Sequence, residues 1–188
     1  MNSPILLTAD YKAQISQLHA IKQKWGSKAN RWSQQVIAFG RGLRAATVLD
    51  YGAGKGALRP DLESAGFAVR EYDPGIPGKD SLPGPADLVV SLDVLEHIEP
   101  ECLDAVLRHI GDLAIRGVYA NIALYPAGNW LPDGRNAHLI IESPEWWQER
   151  IKAVWDFPCR LDFEMCTRTP RNVNKKPKAS LILRMEKI

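Results

Sequence analysis

The 188-residue chain is long enough for one domain with one hydrophobic core and too short for two full domains. Its 45% hydrophobic and 24% charged residues are ordinary for a globular protein and exclude wholesale disorder, while a formal net charge of +2 is too small to select a class of partner. Cys102, Cys159 and Cys166, an odd set with no Cys-x-x-Cys pair, argue against a disulfide framework or a cysteine zinc site. The N-terminal stretch has no basic lead-in to a signal sequence, and no apolar run approaches the ~20 residues that cross a bilayer. A reduced, cytoplasmic protein without membrane contact is therefore expected.

Residues from about Ala9 to Gly42 read as helical. Ile15, Leu18, Ile21 and Trp25, then Trp32, Val36 and Phe39, recur near the 3.6-residue period, and Gly26 separates two helices. Thr47 to Asp50 is a short buried strand running into glycines. Ala57 to Ala65 reads as a helix capped by Gly66, and Phe67 to Tyr72 as a second strand that ends at Asp73. Prolines and glycines from Pro74 to Pro85 mark a loop, and Asp87 to Leu92 a third strand.

Pro100 opens a helix expected to run to about Ile115, followed by a strand over Val118 to Leu124 and a long loop from Pro126 to Ala137. Ser143-Pro144-Glu145 has the form of an N-cap with proline at the first helical position, so a helix should extend from there to about Val154. Arg160 to Thr167 and Ser180 to Glu186 are two final strands with no helix between them, and should pair antiparallel. The alternation of strands and helices predicts an α/β fold. Its Rossmann-like, mostly parallel sheet carries helices on both faces and ends in an antiparallel hairpin. Residues 1–46 are expected to form a helical cap of the same domain, and residues 47–188 the ligand-binding body.

The chemistry concentrates in Asp50-Tyr51-Gly52-Ala53-Gly54-Lys55-Gly56. Glycines at alternate positions let the backbone turn sharply and approach a ligand. Asp73, at the end of the next strand, is placed to accept hydrogen bonds from the hydroxyls of an adenosine ribose. Dinucleotide-binding loops read G-x-G-x-x-G, whereas here the order is G-x-G-x-G behind an acid. A carboxylate beside the loop opposes a pyrophosphate but suits the cationic end of S-adenosylmethionine (SAM), whose ammonium Asp50 can hold directly or through water. The charge logic favours SAM over a nicotinamide dinucleotide.

VLDYGAGKG resembles motif I of class I SAM-dependent methyltransferases, and Glu71-Tyr72-Asp73 resembles their ribose-binding segment. The stretch from Lys79 to Ile98 is similar to the later motifs of the broad small-molecule and phage-type branch carrying the string Asp93-Val94-Leu95-Glu96-His97, and His138 onward resembles the segment after its fifth strand. The resemblance implies SAM as cofactor and S-adenosyl-L-homocysteine (SAH) as product. It implies Asp50, Gly52, Ala53, Gly54, Gly56, Asp73, Asp80, Ser81 and Asp93 as cofactor-binding residues, with Asp80 and Ser81 near adenine. Members of that superfamily place a helix and an edge strand between the ribose acid and the next strand. Only a short Pro- and Gly-rich stretch is present here, so the third edge strand is expected to be missing.

His138 is the preferred base, since histidine titrates near neutrality, and His97 the second candidate. Asp93, Glu96 and His97 form a D-x-x-E-H cluster that His138 could approach, similar to the arrangement of small-RNA 3′-end 2′-O-methyltransferases. Oxygen and imidazole ligands suit a divalent ion. The same string occurs in metal-free relatives, and no metal ligand is assigned. Absence of an N/D-P-P-Y/F string disfavours DNA amino-methylation, and a helical Cys102 disfavours cytosine-C5 chemistry.

Transfer to oxygen of a small or nucleotide-like acceptor is the expectation. Nucleic acid remains possible through the basic loop 168–178, which carries Arg168, Arg171, Lys175, Lys176 and Lys178. A wall of Trp130, Trp146 and Trp147 could stack on a base. Tyr11 and Trp25 are expected to help the N-terminal helices cover the site. A non-catalytic SAM-binding protein is the remaining alternative.

Overall fold

The computed structural model describes residues 5–22, 25–169 and 177–188. Its helices are α1 (Ala9–Ile21), α2 (Ser33–Gly42), α3 (Arg59–Ser64), α4 (Leu103–Leu113) and α5 (Pro144–Val154). Its strands are β1 (Thr47–Tyr51), β2 (Ala68–Tyr72), β3 (Ala86–Leu92), β4 (Ala114–Ala123), β5 (Cys159–Arg168) and β6 (Lys178–Lys187). They form one sheet in the order β2-β1-β3-β4-β6-β5. The first four are parallel, and β6 runs antiparallel to both β4 and β5.

Strand periodicity explains why both faces are covered. In β1, Val48 packs with α2 and α3 through Val36, Ile37, Leu58 and Leu62. Its neighbour Leu49 points to the opposite face, among Val106, Leu107, Ile110, Trp147 and Ile151 of α4 and α5. A third, smaller cluster joins Tyr11 and Leu18 of α1 to Leu131 and Ala137 of the long loop, so α1 lies over the ends of the strands rather than on a sheet face. At the opposite end of the sheet, Asp87 Oδ2 accepts from the Ala46 and Thr47 amides at 2.8 and 3.0 Å, which staples the starts of β1 and β3. Those two amides hold its carboxyl down at about 2.

Between Tyr72 and Ala86 there is no strand, as expected, and β2 is left as the edge. Two boundaries differ from the periodicity reading. The segment from Pro100 begins as a 3-10 turn (Pro100–Cys102), and α4 ends at Leu113. Strand β4 starts immediately at Ala114, because Ala114 pairs with Ala86 across a register shift. Tertiary pairing overrides the helical spacing of those residues. In the N-terminal part, helix α1 stops at Ile21, and a 3-10 turn (Ala29–Trp32) precedes α2. Among the described residues, no helix is long and apolar enough to cross a membrane.

Candidate functional site

The C-terminal ends of β1, β2 and β3, the segment that follows β4 and the start of β6 open into a cavity of about 290 Å³, roofed by α1 and the turn that follows it. This is the crevice where open parallel sheets bind their ligands.

Its floor is the glycine loop. Gly54 has φ +53°, and a Cβ there would lie 2.6 Å from Gly26 O. Lys55 N donates to that same carbonyl at 2.8 Å. The loop is thus pressed against the turn at Gly26, and only glycines allow two backbones so close. A Cβ on Gly52 would overlap Val94, which walls the cavity. Asp73 Oδ2 accepts from Gly54 N at 2.8 Å and its Oδ1 from Gly75 N at 2.9 Å. These bonds fix the carboxylate at the loop and leave it further lone pairs.

Asp50 lies beneath the loop, 1% exposed, and does not line the cavity. Its Oδ2 has no hydrogen-bond partner. Burial, reinforced by the Glu71 carboxylate and opposed by Lys79, pushes its carboxyl up to about 7. Gly56 also sits outside the lining, facing Glu71 and Lys79. Asp80 pairs with Lys12 at 3.1 Å, and neither it nor Ser81 reaches the cavity. Gly52, Ala53, Gly54, Asp73 and Asp93 do.

At the far end, Asp93 adopts φ 55°, accepts from Asn121 Nδ2 at 2.6 Å, and pairs with Arg31. His97 Nδ1 is bonded to Ala137 O at 2.6 Å and His138 Nδ1 to Tyr125 O at 2.5 Å. A carbonyl only accepts, so each ring carries its proton on Nδ1 and keeps a lone pair on Nε2. The two rings meet edge-on with centroids 4.6 Å apart. Burial and the neighbouring His138 push His97 down to about 3, and burial lowers His138 as well. Asn136 shapes the loop that presents His138: it exchanges two hydrogen bonds with Ala127 and accepts from His138 N at 3.0 Å.

The α1 roof is tied down on both sides. Thr8 donates from N and Oγ1 to the two oxygens of Glu99 at 2.8 and 2.7 Å, and Tyr11 Oη donates to His97 O. Trp25 meets the His97 ring at 5.0 Å, and both Tyr11 and Trp25 line the cavity. The basic rim consists of Lys28, Arg31, Arg168 and Lys178; Arg171, Lys175 and Lys176 lie outside the described residues. Trp147 is fully buried in the core and Trp130 is 64% exposed, and no tryptophan of the expected stacking wall lines the cavity. The sequence does not single out Arg31 and Asn121, and it marks Gly26 only as a break between helices, because each acts through a contact that no local pattern announces.

A parallel sheet with this cavity at its strand ends, and a glycine loop followed by an acid on the next strand, defines the fold of class I SAM-dependent methyltransferases. Solved structures share it. The chain is 17% identical to magnesium protoporphyrin IX methyltransferase from Synechocystis PCC 6803 with bound SAM, with TM-score 0.65 and 100% of each chain covered. It is 18% identical to 1,6-didemethyltoxoflavin-N1-methyltransferase from Burkholderia thailandensis, with TM-score 0.64 over 100% of this chain and 93% of that one. The likeness is one of fold. No family model and no curated protein sequence matches the chain.

Proposed function

We propose that this chain is a SAM-dependent methyltransferase that modifies an oxygen of a small or nucleotide-like acceptor. The observation that carries the reading is a single cavity with the Gly52–Gly54 cradle and Asp73 at one end and two neutral imidazoles at the other. The residues suit the cofactor. Gly52, Ala53 and Gly54 leave room for close approach to the backbone, and Asp73 is held ready for ribose hydroxyls, whereas Asp50 stays beneath the loop as its buried support and is not the direct ammonium contact expected from the sequence. When bound, SAM supplies a methyl group already activated on a sulfonium.

The protein's own task is alignment and proton removal. His138 Nε2 accepts the proton of the acceptor hydroxyl, while the bond from Nδ1 to Tyr125 O fixes the ring. His97 supports it from the side, and α1 with Trp25 excludes water. Asp93, oriented by Asn121 and Arg31, borders the space between cofactor and acceptor. Arg168 and Lys178 at the rim favour an acceptor bearing phosphate, which keeps nucleic acid as the second reading. Binding to RNA that falls steeply with salt would support that second reading.

Calorimetry with SAM and SAH, followed by labelled-methyl transfer into fractionated host extract, tests the proposal. His138→Gln should leave SAH affinity intact and lower turnover about 10²–10⁴-fold. Absence of heat from either nucleoside would overturn it.

A further inference from the structure

Apart from the cofactor cradle, the molecule holds a second set of groups whose geometry asks for a ligand. The 3-10 turn Leu95–His97 after β3 delivers Glu96 and His97, and the long loop delivers His138. One ligand-type atom from each, a carboxylate oxygen and two ring nitrogens, lies within 4.8 Å of the other two. Both Nδ1 atoms are spent on backbone carbonyls, so the Nε2 lone pairs are what the rings have left to offer. A ring nitrogen held by a backbone acceptor is the outer-shell arrangement that orients metal-binding histidines.

Glu96 supplies the independent observation. It is 0% exposed, its Oε1 accepts from Ala123 N at 3.0 Å, and its Oε2 is buried without a hydrogen-bond partner. An unpaired buried carboxylate oxygen is costly unless a cation or donor meets it. Asp93, three residues before Glu96, is engaged by Asn121 and Arg31 and does not join the three.

We infer that Glu96, His97 and His138 form a binding site for one divalent transition-metal ion, open on the side that faces the cavity. Two imidazoles and one carboxylate suit Zn²⁺, Mn²⁺, Fe²⁺ or Co²⁺; Mg²⁺ prefers oxygen throughout. Bonds of about 2.0–2.1 Å set ligand atoms about 3.3 Å apart in a tetrahedral site, so the three side chains contract on loading. Three protein ligands leave room for an oxygen of the acceptor or of water. In the loaded protein His138 is a ligand. The base role of His138 belongs to the metal-free protein; a bound ion would instead supply Lewis acidity that lowers the pKa of a coordinated hydroxyl. That catalytic role rests on the methyltransferase reading; the binding of the ion does not.

The test uses the full chain, stripped with a chelator and titrated calorimetrically with Co²⁺ and Zn²⁺, with Co²⁺ also followed by its visible absorption. One ion per chain is expected, together with a cobalt spectrum of nitrogen and oxygen ligation. Glu96→Gln and His138→Gln should each weaken binding more than about 100-fold, beyond the usual loss from an outer-shell change. SAH calorimetry and circular dichroism on the same samples report folding, and SAH heat separately tests the cofactor reading. If a variant unfolds, His97→Gln replaces it. No saturable site in the folded wild type, or an affinity unchanged in folded variants, overturns the inference whatever SAH does.

Discussion

Replacing Gly54 by alanine probes the contact on which the cavity floor depends. At φ +53° an alanine pays the left-handed penalty of about 1–2 kcal/mol. The added methyl also falls 2.6 Å from Gly26 O and 2.7 Å from Gly26 Cα. These are backbone atoms that cannot rotate aside, so overpacking adds about 1–3 kcal/mol. Gly66→Ala is a stringent control: nothing lies within 4 Å, so only the backbone term applies, and at φ +95°, further from the left-handed well than +53°, that term is not the smaller of the two. Urea denaturation should show Gly54→Ala losing at least about 1 kcal/mol more than Gly66→Ala. If the turn at Gly26 lifts instead, the bond from Lys55 N to Gly26 O opens, and hydrogen exchange at Lys55 accelerates. Equal destabilisation by the two variants, with Lys55 still protected, would refute the claim that the roof bears on the glycine loop.

The pH dependence of Asp50 has a definite sign. Its folded carboxyl is raised to about 7 from an ordinary value of 3.8, so the associated stability is fully present below about pH 4 and is lost as pH rises through 7. Asp50→Asn should flatten the stability profile between pH 4 and 7, removing a slope worth at most about 4 kcal/mol; a profile that keeps its slope would contradict the buried placement. Glu99→Gln halves the anchoring of Thr8 and should free α1 at a cost of about 1–2 kcal/mol, seen as faster proteolysis near Thr8 with little change in the main unfolding transition.

Elements with local signatures were legible in the sequence. Helix α5 begins at Pro144, where the Ser143 side chain accepts from Trp146 N, and ends at Val154 as the spacing implied. The glycine loop and Asp73 followed from spacing, and the missing edge strand from the resemblance set against the short Pro- and Gly-rich stretch between Asp73 and Asp87. What escaped was set by distance along the chain. Ala114 is apolar and fits a helix as well as a strand until Ala86 claims it. Glu96 reads as one of the Asp93-Glu96-His97 cluster, but nothing local announces that Ala123 N, from the end of β4, draws it fully inside. Trp146 and Trp147 look equivalent in sequence, and the phase of α5 alone sends Trp147 to the core.

The sheet order carries a consequence for biosynthesis. Strand β5 leaves the ribosome before β6, but among the described residues its only sheet neighbour is β6, which must slot between β5 and the waiting edge of β4. Until that insertion, β4 and β5 both present unpaired backbone. Completion of the sheet therefore waits for β6, and a nascent chain stalled before Lys178 would be a natural client for chaperones.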